Sequence, residues 1–213
     1  MIKLLTISAS PVEGSSTEFI LSEIADAVVA SLGETDKVAS TTVRLNDLKY
    51  IPCQACGKSP EPEYCLFDDD LTPVYRALVE CDCLLLGSPV YFDSVTAQAK
   101  AFIDRCNCFR PPDFDNVDPD HQFIRRLTKL RPAAMVLVGG ERGWFEGARR
   151  VVAGFFKWVQ MVDEGHLVYL SQDFNRAGEA REDTQIIELA HQLGQHLARK
   201  IIDGYEDKNG GGE

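Results

Sequence analysis

Three cysteines in the stretch CQACGKSPEPEYCLFDDD, Cys53, Cys56 and Cys65, stand close enough in sequence to act together. A Cys-x-x-Cys pair with a third thiol nearby suits a metal ion, an iron–sulfur cluster, a disulfide or a redox pair. Zinc in a closed structural site takes four ligands, and three cysteines without a nearby histidine fall short. A thioredoxin-type pair would open a helix after a strand, whereas this one follows Tyr50, Ile51 and Pro52 in a loop. A cubane cluster takes one thiolate per iron, so it too lacks a ligand here.

Three further stretches carry residues able to bind rather than react. In SASPVEGSST, residues 8–17, the hydroxyls of Ser8, Ser10, Ser15, Ser16 and Thr17 precede a helical pattern. Hydroxyls and N–H groups at a helix start form an anion site. The stretch is not Gly-x-Gly-x-x-Gly and lacks the Gly-Lys-Ser/Thr of a nucleotide loop, so a single phosphate monoester fits it better than a triphosphate or a dinucleotide. It also reads as no more than a capped helix after a polar turn. In SPVYFDSVTAQAKAFIDR, Pro89, Val90, Tyr91 and Phe92 offer a flat apolar wall to a planar ring, or simply cover the core. In GGERGWFEG, Gly139 and Gly140 allow a ring to approach the backbone, or form an ordinary turn. No Ser-His-Asp set has supporting context. His191 and His196 fall on the last helical pattern and read as solvated.

The elements that must position these stretches are short apolar, β-branched runs alternating with helical periods. Residues 2–8, 39–45, 83–88, 133–139 and 166–170 read as strands covered on both faces. Ile20, Ile24 and Val28 mark a first helix that Ser15, Ser16 or Thr17 can cap. Asp68–Asp70 read as the acidic start of a second. Val95, Ala99, Phe102 and Ile103 mark a third; Ala148, Val151, Val152, Phe155, Val159 and Val162 a fourth; Ile187, Ala190, Leu193, Leu197 and Ile201 the last. Five strand–helix alternations imply an α/β domain, a parallel sheet with helices on both faces. Residues 51–70 and 110–122 are Pro/Asp-rich insertions. One domain over residues 1–203 is expected, with a disordered tail over 204–213.

The chain has 213 residues, near half of them apolar, which suits a single sizeable core. Its net charge of −11 argues against nucleic acid, which needs a basic face. No basic amphipathic stretch and no apolar run of about 20 residues speaks for a membrane. The N-terminal MIKLLTISAS reads as a strand rather than a signal peptide, and seven cysteines, an odd number in a chain too large to need staples, suit a reducing compartment. A cytoplasmic protein is expected. Cys81, Cys83, Cys106 and Cys108 flank or enter regular elements and read as small hydrophobes.

The hydroxyl, aromatic and glycine loops after the first, third and fourth strands resemble the NAD(P)H-dependent FMN reductase family, within the flavodoxin-like superfamily. The Ser-Pro-Val-Tyr segment with its following Lys100, Asp104 and Arg105, and the cysteine region before Asp68 and Asp69, resemble the iron–sulfur flavoprotein branch. The resemblance implies a flavodoxin-like three-layer sandwich with a five-stranded parallel sheet in order 2-1-3-4-5. It implies FMN, with its phosphate at Ser8, Ser10, Ser15, Ser16 and Thr17. Pro89, Val90, Tyr91 and Phe92 would border the ring, and Gly139, Gly140 and Glu141 its other edge. Lys100, Asp104 and Arg105 read as structural. Such phosphate loops often carry a basic residue after the proline; here Val12 and Glu13 follow Pro11.

The implied activity is an NAD(P)H oxidoreductase passing electrons through FMN to a quinone, a flavin or a similar small acceptor, with no catalytic side chain because the chemistry is the cofactor's. The branch carries four cysteines in this region. Cys53, Cys56 and Cys65 align with three of them, and Ser59 stands where the fourth belongs. A remnant of a lost cluster is favoured over a cluster completed by Ser59, Cys106 or Cys108. An electron-transfer flavoprotein that keeps the cluster, and a flavin-binding module without turnover, are the alternatives. A homodimer or homotetramer is expected, since Trp144, Phe145, Phe155, Phe156 and Trp158 give the fourth helix more aromatic surface than one face buries.

Overall fold

Alternate residues of the central strands face opposite cores, which is why their sequences are apolar throughout rather than alternating. The computed structural model describes residues 1–33, 37–56, 64–109, 127, 129–140, 143–173 and 176–205. Strands β1 (Ile2–Ser8), β2 (Val38–Arg44), β3 (Cys83–Tyr91), β5 (Arg131–Gly140) and β6 (Met161–Ser171) run parallel in the order β2-β1-β3-β5-β6. The two-residue β4 (Ser94–Val95) folds back antiparallel on the end of β3. Leaving β4 aside, this is the 2-1-3-4-5 order that the resemblance implies.

Helices α1 (Ser16–Leu32) and α5 (Thr184–Asp203) cover one face of the sheet; α2 (Thr72–Glu80), α3 (Ala97–Arg105) and α4 (Glu146–Trp158) cover the other. Leu5, Ile7, Leu84, Leu86 and Met135 point into the α2/α3/α4 layer. Leu4, Leu85, Ala134 and Val136 point into the α1/α5 layer. Each leucine so buried contributes about 1.5–3 kcal/mol relative to exposure. Buried Arg131 ties two helix ends together: its guanidinium donates to the carbonyls of Leu78 at 2.6 Å, Cys81 at 3.2 Å and Val159 at 3.0 Å, at the C-termini of α2 and α4. Those carbonyls lack intrahelical partners, so the cation meets the negative ends of two helices.

Several boundaries differ from the sequence reading. Helix α2 begins at Thr72, two residues after Asp70, and the acids before it do hold its start: Asp68 accepts from the Thr72 hydroxyl and Asp69 Oδ1 accepts the Leu71 N–H at 3.1 Å, while Asp69 also holds Arg105. The fourth helix stops at Trp158, and Val162 lies in β6, whose first half, MVDEG, is too polar and exposed to read as a buried strand. Tyr205, expected to fray, is anchored: its hydroxyl donates to Glu164 at 2.5 Å. The aromatic excess expected on α4 is mostly internal. Phe155 and Phe156 are buried and Trp158 donates to the Cys106 carbonyl, which leaves Trp144 as the exposed aromatic beside that helix among the described residues. No helix among the described residues is long and apolar enough to cross a membrane.

Candidate functional site

The turn after β1 is built around one carboxylate. Ser15 is the N-cap of α1, accepting the Glu18 N–H at 3.3 Å. The Glu18 side chain reaches back and accepts the Gly14 N–H at 2.7 Å and the Ser8 hydroxyl at 3.4 Å. Arg44, at the end of β2, closes on the same carboxylate at 2.6 Å. This is a variant of the reciprocal capping box: the acid stands at its usual place three residues after the cap, but accepts the N–H one residue before the cap rather than that of the cap residue. Ser10 stitches the outer turn, its oxygen accepting from the Val12 N–H at 3.2 Å and its hydroxyl donating to the Val12 carbonyl at 3.1 Å.

These partners sort the five hydroxyls that sequence reasoning set at an anion. Ser8, Ser10 and Ser15 shape the loop itself. Ser16 Oγ accepts the N–H of Ala180 at 3.2 Å, from the turn before α5. Thr17 is 1% exposed, and its Oγ1 has no hydrogen-bond partner among the described residues. An orphaned hydroxyl in the first turn of a helix, next to first-turn N–H groups that have no intrahelical acceptor, is the donor set a phosphate group satisfies.

The second loop is bound to the first. Thr96, N-cap of α3, donates its hydroxyl to the Ala9 carbonyl at 3.0 Å and accepts the Ala99 N–H at 3.2 Å. Its own N–H goes to Ser88 Oγ at 3.0 Å. Strand β3 runs further than the sequence suggests, so Pro89, Val90 and Tyr91 belong to its end, and the chain reverses through Phe92 and Asp93. Both turn residues have positive φ, 52° and 57°. The reversal leaves Tyr91 half exposed and Phe92 wholly so.

The third loop leaves β5 beside β3. Pro89 pairs with Val138 in register, which sets Val90 next to Gly139; the Gly143 N–H then closes on the Gly140 carbonyl at 2.9 Å. Trp144 is 80% exposed just beyond. Glu141 lies outside the described residues. The C-terminal ends of β1, β3 and β5, three adjacent strands, thus carry an anion loop, an aromatic rim and a glycine pair in that order. Ligands of open α/β sheets bind at such strand ends. The donors, the rim and the spacing fit a planar ring system bearing a phosphate, as FMN does. A groove of about 340 Å³ between α1 and the edge strand β2 adjoins the first loop at Ser8, Gly14, Glu18, Arg44 and Arg181.

Lys100 and Asp104 pair along α3 at 2.8 Å, and Arg105 is a fastening. Its guanidinium, 1% exposed, pairs with Asp69 at 2.8 Å and donates to the Ile51 carbonyl at 2.8 Å and the Phe67 carbonyl at 3.3 Å. Both ends of the cysteine segment are therefore held by one side chain. Within it Cys53 and Cys65 are half-buried and Cys56 is exposed, while Ser59 lies outside the described residues. None of the seven cysteines is joined in a disulfide. Among the described residues no three His, Cys, Asp or Glu side chains gather to hold a metal ion. Cys81, Cys83 and Cys106 are buried, and burial pushes their thiols up, that of Cys81 to about 11.

Glu18 and Arg44 are the site residues the sequence reading missed. The spacing Ser15-x-x-Glu18 was the available signal for the first. Nothing local marks Arg44, which meets Glu18 only through strand pairing.

The family model for NADPH-dependent FMN reductases matches residues 2–175. The chain is 32% identical to an iron–sulfur flavoprotein of Methanocaldococcus jannaschii over 206 residues, 94% of this chain and 97% of that one. It is 27% identical to an iron–sulfur flavoprotein of Methanosarcina thermophila over 96% of each chain. Its fold superposes on that of an archaeal flavodoxin with a TM-score of 0.54 at 12% identity, covering 94% of this chain and 99% of the other.

Proposed function

The chain belongs to the NADPH-dependent FMN reductase family, and from that premise we propose that it is an NAD(P)H oxidoreductase that carries FMN across the ends of β1, β3 and β5 and passes electrons to a quinone, flavin or similar small acceptor. The observation that carries this reading is the order of the three loops on adjacent strands, with Thr17 Oγ1 buried and unpartnered beneath the first. Bound FMN supplies the redox chemistry, accepting a hydride and releasing the electrons onward. The residues of this chain do the rest. Thr17 presents its hydroxyl, and the first turn of α1 its uncommitted N–H groups, to the phosphate, while Ser15 and Ser16 hold that turn in place. Val90, Tyr91 and Phe92 border the ring, Gly139 and Gly140 let its far edge approach the backbone, and Tyr91, Phe92 and Trp144 exclude water. No side chain is required as acid or base. The exposed aromatics at this rim support a homodimer or homotetramer that covers them, and sedimentation of a monomer at micromolar concentration would oppose that.

The test is direct. Purified protein titrated with FMN should quench flavin fluorescence at one site per chain and then oxidise NADH or NADPH in the presence of a quinone. Protein that stays colourless after titration would overturn the reading.

A second reading has its own support. The relatives above are iron–sulfur flavoproteins, which weighs for a cluster at Cys53, Cys56 and Cys65 and corrects the sequence-based preference for a remnant. Its fourth ligand would be Ser59 or a group from outside the motif. Iron and acid-labile sulfide in anaerobically purified protein would establish it, and their absence after reconstitution would dismiss it.

A further inference from the structure

The first loop has no cation of its own. Val12 and Glu13 follow Pro11, Glu18 adds a second carboxylate, and Arg44 divides its charge between Glu18 and Asp47. A phosphate monoester, carrying about −1.5 to −2 at pH 7, would meet a negative loop if nothing else were present. A cation does arrive, from far along the chain. Arg181 Nη1 donates to the Gly14 carbonyl at 2.7 Å, across a separation of 167 residues.

Its placement is built. Arg181 sits in the 3-10 turn Glu179–Glu182 that precedes α5. The neighbouring Ala180 N–H holds Ser16 Oγ, and the Arg181 guanidinium lies 5.2 Å from the centre of the Phe19 ring. Gly178, at φ +72°, packs so closely that a Cβ there would stand 2.6 Å from the Gly14 carbonyl oxygen and 1.5 Å from Arg181 Nη1. The acids around it serve other groups. Glu179 accepts from the Ser171 hydroxyl at 2.7 Å and the Gln172 N–H at 3.0 Å, and Glu182 pairs with Arg176. Among the described residues no carboxylate pairs with Arg181. A guanidinium has five N–H donors, and one carbonyl and one ring face leave most of them uncommitted.

We infer that Arg181 is the counter-charge of the anion loop, a positioning residue that replaces, from the turn before α5, the basic residue missing after Pro11. This rests on the FMN reading.

The test compares FMN with riboflavin, which lacks the phosphate, by fluorescence titration on the full chain. Arg181→Gln keeps a donor for the Gly14 carbonyl and removes the charge; Arg181→Lys keeps the charge. Arg181→Gln should weaken FMN roughly tenfold, as expected for losing one charge-assisted contact, leave riboflavin unchanged, and flatten the salt dependence of FMN binding. Arg181→Lys should recover most of the loss. Equal weakening of both flavins would mean a merely structural role and would overturn the inference, as would unchanged FMN affinity in Arg181→Gln. If the wild-type chain binds neither flavin, the FMN reading itself falls and this inference with it; that outcome is distinct from a wild type that binds FMN without help from Arg181.

Discussion

Asp93 caps a helix it does not belong to. Its Oδ1 accepts the N–H of Gly147 at 3.0 Å, and a Cβ on Gly147 would lie 2.1 Å from the Asp93 carbonyl oxygen. Helix α4 has no side-chain cap of its own, since Phe145 occupies the N-cap position. The hairpin turn therefore completes α4, and α4 holds the turn. That hold is needed, because non-glycine residues at positive φ, as Phe92 and Asp93 are, cost of order 1–3 kcal/mol each. Gly147→Ala should displace the turn and destabilise the protein by about 2 kcal/mol or more. Asp93→Ala should cost about 1 kcal/mol, as for a lost cap. Thermal melts of the two variants check this, and a Gly147→Ala melt equal to wild type would contradict it.

The Arg105–Asp69 pair should be among the most sensitive points of the fold. Removing one partner of a buried pair leaves an uncompensated charge and costs about 3–5 kcal/mol. Asp69 is partly exposed, so Asp69→Ala should fall at the low end of that range, with Asp69→Asn milder because it still accepts a hydrogen bond. Urea unfolding would measure both. A loss under 1 kcal/mol for Asp69→Ala would show the two carbonyl contacts alone to be sufficient.

Acid should loosen the end of α5. Burial opposes ionisation of Glu164, but hydrogen bonds from Tyr205 and His196 and the charge of Lys200 outweigh it and hold the carboxyl below its ordinary 4.5. A lowered folded-state value means the stabilisation is complete above the ordinary value and drains away as pH falls through the lowered one. Hydrogen exchange in the last turns of α5, corrected for intrinsic rates, should accelerate as the pH falls below the ordinary carboxyl value. Glu164→Gln should remove that acceleration; its persistence in the variant would place the titrating group elsewhere.

Thiol labelling should divide the cysteines in two. In chelator-treated native protein at pH 8, Cys56 should react first, then half-buried Cys53, Cys65 and Cys108. Cys81, Cys83 and Cys106 combine burial with raised thiol values and should react only on unfolding. Mass spectrometry of the alkylated chain reads this out. Early modification of Cys83 would mean the β3 core opens far more readily than its burial implies.

The elements that proved readable in sequence are those whose burial is a local property. Runs such as Leu84, Leu85 and Leu86 are apolar because both faces of a central strand are covered, and Ser15 caps α1 through its own neighbour three residues on. What escaped depends on contacts made at a distance. Asp69 reads as a helix start, which it is, but its second task, holding Arg105 from 36 residues away, has no local mark. The turn at Phe92 and Asp93 contains no Gly or Asn to announce positive φ, because α4 supplies the compensation. The three site loops were legible as loops, but not the two arginines, Arg44 and Arg181, that converge on the first of them from β2 and from the turn before α5.

The grip of Arg105 on Ile51, Phe67 and Asp69 has a mechanical consequence. One side chain on α3 closes the neck of the cysteine segment, and Tyr64, near the far end of that segment, packs its ring against Tyr75 of α2 and against Phe109. The segment is thus geared to the α2/α3 layer, and a change of load on its thiols is felt there first.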